Sequence, residues 1–341
     1  MKLFMIGTQR SGSNLFRLML NQLPEIAAPH PPHILIRLLP LVATYGDLSD
    51  PESFRFLVDD ACRLVERNPV EWEGVVLDRN EIAARCDRRD LYGVMAAIYD
   101  TLCETWGKRI WVCKSLGNVK YAAELADRFD DAKFIYLYRD GRDVALSSTR
   151  AIEGEKHYYN IAQDWHHAQQ IALALRTRIG EERVLSVSYE DLTRDEDGTM
   201  HRVCSTLGIA FADPSEFYKT EEAKRAASAS NLWENVTKPI MKDNSGKFLK
   251  STSESDLRIF ESVAGASLDA LGYTRVVVPK GAELRFTPTE IAAFDLENER
   301  LKKAAWDTLD EDDRRRRAEQ LALLDAIAAR NAAHNQIASA K

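Results

Sequence analysis

A glycine turn near the N-terminus combines residue types that bind phosphate. Gly7 and Gly12 have four residues between them, and the turn carries Arg10 and runs into Ser13 and Asn14. Successive backbone N–H groups in such a turn converge on phosphate oxygens, and the helix that follows adds its positive N-terminus. A loop that binds a nucleoside triphosphate with Mg²⁺ would instead continue Gly-Lys-Ser/Thr. We therefore predict a phosphate site in which Arg10 replaces that lysine and no γ-phosphate is held.

Arg139 and Ser147 form a second candidate anion site. Arg139 directly follows the apolar run Phe134–Tyr138, and Ser147 comes eight residues later, on the predicted next helix. A guanidinium and a hydroxyl can hold one anion together. The alternative is that Arg139 only pairs with Asp140 or Asp143.

The order and spacing of these two motifs resemble the sulfotransferases that use 3′-phosphoadenosine 5′-phosphosulfate (PAPS), over about residues 1–275. In that family an Arg/Lys-Ser-Gly-Ser/Thr loop binds the 5′-phosphosulfate, and a later arginine with a serine eight residues on binds the 3′-phosphate. The resemblance implies PAPS as the sulfuryl donor and no metal. It implies the first role for Arg10, Ser11, Gly12, Ser13 and Asn14, and the second for Arg139 and Ser147.

Two further segments extend the resemblance. Val187–Leu192 looks like the family's Tyr-Glu-Asp-Leu segment, which implies that Tyr189 lies near the adenine. The polar loop at 231–250 resembles the late cationic loop that closes over the cofactor. We assign Lys247 of that loop to the cofactor, with Lys238 and Lys242 as alternatives.

Sulfuryl transfer requires a cation beside the leaving oxygen and a base beside the acceptor. Lys114 follows the apolar run Ile110–Cys113 and resembles the lysine of the family's Lys-Thr-His segment, whose histidine is replaced here by Leu116. His30 and His33 stand among prolines after the first predicted helix, and imidazole is largely neutral at pH 7. We predict that Lys114 assists departure and that either His30 or His33 accepts the proton.

The predicted reaction moves a sulfuryl group to a hydroxyl, or less favourably an amine, of a small-molecule or lipid-like acceptor. One alternative is a P-loop kinase or nucleotidase, for which Asp78 is the candidate magnesium-binding acid. Another is a non-catalytic nucleotide-binding protein in which the C-terminal helices carry the function. Magnesium-dependent ATP binding would favour the former, and nucleotide binding without turnover the latter.

These residues need a sheet whose strand ends meet. Short apolar runs alternate with helical stretches, which favours buried parallel strands with helices on both faces. We predict an α/β fold, a P-loop-like three-layer sandwich with a central parallel sheet of about five strands. The predicted strands are Lys2–Ile6, Val75–Asp78, Ile110–Cys113, Phe134–Tyr138 and Val184–Ser188.

The sequence predicts a division into a sulfotransferase-like α/β domain at 1–275 and a C-terminal helical extension at 276–341. Thr287 and Glu290 flank Pro288 as in a capping box, and a second helix start is predicted at Thr308. We expect the extension to pack on its own domain. The alternatives are a homodimer contact and a role at a membrane surface or with another partner.

Composition limits the class of protein. Of 341 residues, 45% are hydrophobic and 29% charged, and the formal net charge is −7, which argues against a nucleic-acid partner. No apolar run approaches the ~20 residues of a membrane span, and the N-terminus lacks a signal-peptide core. Five scattered cysteines do not form a disulfide framework. We therefore expect a cytoplasmic protein without a transmembrane segment.

Overall fold

A parallel sheet forms the centre of the protein. The computed structural model describes residues 1–229 and 235–339. Its strands are β1 (Lys2–Gly7), β2 (Ile26–Ala27), β3 (Ile110–Cys113), β4 (Lys133–Tyr138) and β5 (Val184–Ser188). They lie in the order β2-β3-β1-β4-β5, and every neighbouring pair is parallel. The predicted parallel sheet of about five strands is confirmed.

Side chains of the strands alternate between two hydrophobic cores. In β1, Phe4 and Ile6 belong to one core, while Leu3 and Met5 belong to the other, and all four are fully buried. This alternation follows from the two-residue period of a strand. Helices cover both faces, which confirms the three-layer arrangement.

The helices follow in chain order. They are α1 (Ser13–Asn21), α2 (Ile34–Leu38), α3 (Pro51–Glu66), α4 (Arg79–Arg85), α5 (Leu91–Trp106), α6 (Ala122–Arg128), α7 (Gly141–Ser148), α8 (Tyr158–Ile179), α9 (Tyr189–Arg194), α10 (Glu196–Leu207), α11 (Glu221–Ala229), α12 (Phe248–Ser251), α13 (Glu254–Ala270), α14 (Pro288–Asp307) and α15 (Glu311–Ser339). Short 3₁₀ helices in the described ranges include Leu39–Tyr45, Leu116–Tyr121 and Phe217–Lys219.

One predicted strand is wrong, and another strand was not predicted. Val75–Asp78 forms no strand, Val76 is 81% exposed, and Asp78 caps α4 by accepting from the N–H of Asn80 and Glu81. The fifth strand is instead β2, whose two residues pair with β3 at the edge of the sheet. A two-residue strand has too few positions to show a period.

A buried ionic network joins α7 to the chain after α13. The guanidinium of Arg142 donates to Asp140 and to Glu261, each at 2.7 Å, and the Glu261 side chain is fully buried. Glu261 also accepts backbone N–H groups from Val276, Val277 and Val278, each at 2.9 Å. This carboxylate therefore holds the chain at 276–278 against the α/β layers.

The C-terminal helices pack on their own chain. The capping box of Thr287 and Glu290 is present at the start of α14. The predicted second start at Thr308 is wrong: Thr308 ends α14, and Asp310 accepts from the N–H of Asp313 at the start of α15. In α15, Leu323 and Ile327 are each 1% exposed and belong to the main core. A homodimer through these helices stays a prediction.

Within the described ranges, no helix is both long and apolar enough to cross a membrane. The predicted loop at 231–250 is described from residue 235 onwards, so its first four residues lie outside the described part of the chain.

Candidate active site

The carboxyl ends of four strands bring the predicted site residues to one edge of the sheet. Gly7 ends β1, Lys114 follows β3, Arg139 follows β4 and Tyr189 follows β5. β3 and β4 both follow β1 in the chain but lie on opposite sides of it, so the connections leave β1 in opposite directions and this edge includes a switch point, where α/β sheets form a crevice.

The turn after β1 adopts a conformation that few residues tolerate. Gly12 has φ 83° and precedes α1, and a Cβ there would lie 2.4 Å from Cδ2 of Tyr189. Arg10 has φ 67°, which is unusual for a residue with a side chain. Ser11 is fully buried, with its hydroxyl 3.2 Å from that of Thr8. The turn is therefore packed directly on the ring of Tyr189.

Arg139 lines a cavity between the turn after β1 and the late loop, which we call the first cavity. It is 7% exposed, and its guanidinium carbon lies 4.3 Å from the ring centre of Tyr189. One terminal nitrogen donates to the carbonyl of Arg10 at 3.1 Å and the other to the carbonyl of Asn244 at 2.5 Å. Its Nε is buried and has no hydrogen-bond partner among the described residues. Asp143 is 3.8 Å away, so ion pairing does not saturate this guanidinium.

Arg10 brings a second guanidinium to the same place. Its Nε donates to the hydroxyl of Ser147 at 2.9 Å, so the side chain points towards the Arg139 end of the cavity. Burial, with the nearby charge of Arg139, lowers the pKa of Arg10. Two guanidinium groups that share a partly buried cavity repel each other unless an anion lies between them.

The late loop closes over this cavity through Asp143. The Asp143 carboxylate accepts the N–H of Gly246 at 2.6 Å and that of Phe248 at 3.0 Å. Asn244 donates to the Tyr189 hydroxyl at 2.7 Å. Lys247 lies between the two anchored residues and lines the cavity. Lys238 lines it as well, and Lys242 is not among the lining residues.

A second cavity meets the first at Arg10, Ser13 and Asn14, which line both. Lys114 and both predicted histidines, His30 and His33, line this second cavity. The structure therefore brings all the predicted catalytic residues together, directly beside the predicted phosphate loop.

Lys114 is a buried amine at the boundary between the two cavities. It is 8% exposed, and its Nζ donates to Oδ1 of Asn14 at 2.5 Å. Burial, with the positive charges of Arg17 and Arg10, lowers the pKa of Lys114 to about 7. An amine with this pKa can gain a proton when negative charge arrives beside it.

His30 is held in one orientation by Asn68. The Asn68 side-chain amide donates to the carbonyls of His30 and Val70, each at 2.9 Å, so its oxygen faces Nδ1 of His30 at 3.1 Å as an acceptor. Nδ1 therefore carries the ring proton, and Nε2 is the basic nitrogen. Burial, followed by the charge of Lys114, lowers the pKa of His30 well below its usual value.

His33 directly precedes α2 and has φ 59°, in the left-handed region. Burial and the charges of Arg37 and Lys114 lower its pKa to about 3. Both imidazoles are therefore neutral at pH 7.

Several lining residues had no motif in the sequence. Asn68 and Glu153 come from connecting segments, and the largest such group comes from the C-terminal helices. That group is Trp306, Asp313, Arg317, Gln320, Leu321 and Leu324. The apolar and amphipathic spacing of α15 predicts a packed helix, and no local signal shows that one face borders a cavity.

Two other polar side chains lie away from both cavities. His157 stacks on Phe294 of α14, with ring centres 4.7 Å apart, and does not line the second cavity. Asp78, the predicted magnesium-binding acid, is exposed at the start of α4 and lines neither cavity. Over the part of the chain that the structure describes, no group of three His, Cys, Asp or Glu side chains is arranged to hold a metal ion.

Solved structures share this architecture. The chain is similar to the sulfotransferase domain of the Synechococcus PCC 7002 olefin synthase, with a TM-score of 0.52 and 23% identity, covering 76% of this chain and 93% of that domain. It is also similar to the sulfotransferase domain from the curacin biosynthetic pathway, with a TM-score of 0.55 and 19% identity, covering 80% and 98%. These likenesses show the fold.

Curated relatives also share sequence with the chain. Protein-tyrosine sulfotransferase A of Caenorhabditis elegans is 24% identical over 314 residues, which are 89% of this chain and 74% of the relative. Protein-tyrosine sulfotransferase 2 of Gallus gallus is 25% identical over 217 residues, which are 62% of this chain and 52% of the relative. The chain thus spans about half the length of the second relative. The sequence model described as "Sulfotransferase family" matches residues 2–213, more than half of the chain, and so this protein belongs to the sulfotransferase family.

Proposed function

We propose that this protein transfers the sulfuryl group of PAPS to a hydroxyl group of a small amphipathic acceptor. One observation carries the proposal. The cavity with Arg10, Arg139 and Ser147 opens, at Ser13 and Asn14, into the cavity with Lys114 and two neutral histidines. A donor site for two anionic groups and an acceptor site with a base therefore share one boundary.

The residues of the first cavity fit this donor. The buried Nε of Arg139 has no partner among the described residues, and the backbone at Gly12 leaves no room for a Cβ. Arg139 and Ser147 would hold the 3′-phosphate, and the turn amides with Ser11 and Ser13 would hold the 5′-phosphosulfate. Because Arg10 donates to Ser147, we propose that Arg10 contacts the 3′-phosphate and not the 5′-phosphosulfate that the family resemblance implies for it. PAPS supplies an activated sulfuryl group on a phosphate leaving group.

Lys114 and Asn14 act at the leaving-group side. The Nζ of Lys114 is fixed by its 2.5 Å bond to Asn14, so its remaining protons are directed elsewhere in the cavity. As negative charge grows on the leaving oxygen, a buried ammonium stabilises it more strongly than one in water would. The low pKa of Lys114 lets the same group release that proton afterwards.

His30 is the base that the geometry favours. Asn68 holds the proton on Nδ1, which leaves Nε2 to accept the proton of the acceptor hydroxyl. Burial and the charges of Arg37 and Lys114 lower the pKa of His33 to about 3, and the choice of His30 over His33 rests on the orientation that Asn68 gives to the His30 ring. We assign His33 a role in shaping the cavity wall beside the acceptor.

Calorimetric titration with 3′-phosphoadenosine 5′-phosphate (PAP), with and without EDTA, tests the donor assignment. We expect micromolar binding that survives EDTA and falls about a hundredfold in Arg139→Ala, because charge-assisted hydrogen bonds to a buried guanidinium are lost. Arg258→Ala is the matched control, since Arg258 is exposed on α13 and pairs with Glu254. Binding of ATP only with Mg²⁺ would refute the donor assignment and favour a kinase. PAP binding without turnover in a screen of hydroxylated acceptors would favour the non-catalytic alternative.

A further inference from the structure

The C-terminal helices form one wall of the second cavity. Trp306 of α14 lines it, together with a set on α15 at helical spacing: Asp313, Arg317, Gln320, Leu321 and Leu324. The helix is fixed in place, since Gln320 donates to the carbonyl of Arg67 at 3.0 Å and Arg330 pairs with the buried Asp60 at 2.6 Å. This wall lies outside the residues that match the family, which end at 213.

Two guanidinium groups, one in this wall and one beside it, have N–H donors without acceptors among the described residues. Arg37 of α2 donates through one terminal nitrogen to Gln320 at 2.7 Å, while its other terminal nitrogen is buried and has no partner among the described residues. Arg317 pairs with Glu153, while its Nε is likewise buried and has no partner in the described ranges. Because a buried N–H without an acceptor is costly, both groups indicate a ligand that supplies oxygen atoms.

The charges of the side chains that line the cavity indicate which kind of oxygen group a ligand would present there. The basic side chains that line it are Arg10, Arg37, Lys114 and Arg317, and the acidic ones are Glu153 and Asp313. The carboxylate of Glu153 pairs with Arg317, and Asp313 is 8% exposed. The cationic side chains outnumber the acidic ones, so a negatively charged oxygen group is favoured over a neutral one.

Two of these cations contact different elements of the cavity wall. Lys114 adjoins the phosphate loop, where the reaction is proposed, and Arg37 adjoins α15. Apolar side chains line the same space: Ile36, Leu116, Leu321 and Leu324.

We propose that the acceptor is an amphipathic hydroxy acid whose carboxylate is bound by Arg37 and Arg317 while its hydroxyl faces Lys114 and His30. A carboxylate matches the planar donor geometry of two guanidinium groups, and the apolar lining accommodates the body of the molecule. This inference rests on the proposed sulfuryl transfer for the hydroxyl, and on the cavity alone for the carboxylate. It makes α15 the element that selects the acceptor.

Matched acid and amide probes test the carboxylate site. The pairs are 3-(4-hydroxyphenyl)propionate with its primary amide, and 12-hydroxydodecanoate with its primary amide, titrated into the full chain with and without PAP. We expect the acid of at least one pair to bind about tenfold more tightly than its amide, as charge-assisted hydrogen bonds give. The preference should disappear in Arg37→Gln and Arg317→Gln and remain in Arg315→Gln, an exposed arginine on the same helix.

Equal binding of acids and amides to the wild-type chain would overturn the inference, as would no binding of any probe or a preference that survives both substitutions. The wild-type comparison does not depend on a variant that folds. A peptide containing tyrosine and glutamate forms a third arm, because a carboxylate on a polypeptide carries the same charge. Its binding in place of both free acids would refute the small acceptor. If the wild-type chain does not bind PAP, the donor proposal is refuted separately. The acid-to-amide ratio measured without PAP does not depend on that result.

Discussion

Proton uptake by Lys114 on nucleotide binding tests the electrostatics of the site most directly. Burial and the charges of Arg17 and Arg10 lower the pKa of this amine to about 7 in the protein without nucleotide. Phosphate groups beside Lys114 would raise its pKa again, because their negative charge stabilises the ammonium form. We therefore expect PAP to bind together with a proton whenever the pH lies above 7.

The size of the effect follows from the two protonation states. At pH 8 an amine with a pKa near 7 is roughly one-tenth protonated, and one restored to the ordinary lysine value of about 10.4 is almost fully protonated. Binding should then take up about 0.9 proton. Since the bound state holds the extra proton, PAP affinity should fall as the pH rises from 7, approaching about tenfold per pH unit below the pKa of the complex.

Calorimetry at pH 8 in two buffers with different ionisation enthalpies measures this proton directly. The phosphate groups of PAP contribute little there, because a phosphate monoester loses its second proton near pH 6. Lys114→Met should abolish the uptake, and Lys120→Met, which removes an exposed lysine nearby, should retain it. Zero uptake by the wild-type chain, or equal uptake by Lys114→Met, would show that Lys114 does not meet the nucleotide.

Three further substitutions test separate parts of the site. Gly12→Ala should weaken PAP binding at least about tenfold, because φ is 83° and the new Cβ meets an aromatic ring; Gly154→Ala, at φ 82° in open space, is the control, and equal loss in both would contradict the packing argument. Glu261→Gln should destabilise the fold by about 3 kcal/mol in urea denaturation, as expected for a broken buried ion pair, whereas the exposed Glu254→Gln should not. His30→Asn should lower turnover about 10²–10⁴-fold with PAP affinity unchanged; unchanged turnover would exclude His30 as the base.

The donor half of the site could be predicted because its signals are local. Gly7, Gly12 and Arg10 lie within six residues, and the turn conformation that they need is visible in their types. Arg139 and Lys114 each end an apolar run, and parallel strands place such ends at one edge. Residues that are close in sequence therefore predict both the phosphate-binding motif and its position at the strand ends.

The acceptor half could not be predicted in the same way. Arg37 and Gln320 are 283 residues apart in sequence, and only the packing of α15 on the domain brings them within 2.7 Å. Val75–Asp78 shows the limit of local signals. Its apolar residues favour a strand, but Val76 is 81% exposed and the segment pairs with no described strand. Residue type determines what a segment tolerates, and long-range packing determines what it contacts.

This difference suggests how acceptor choice can change without altering the transfer chemistry. The donor-site residues from Arg10 to Tyr189 lie within the stretch that matches the family, 2–213, whereas Lys247 of the late loop lies beyond it. Lys114 and His30 lie in that stretch too, whereas Arg317 and Leu321 do not. A substitution on the cavity face of α15 can therefore reshape the acceptor site while the buried amine, its asparagine partner and the phosphate turn stay in place. By this reasoning, variants of α15 should alter the KM of an acceptor far more than the affinity for PAP.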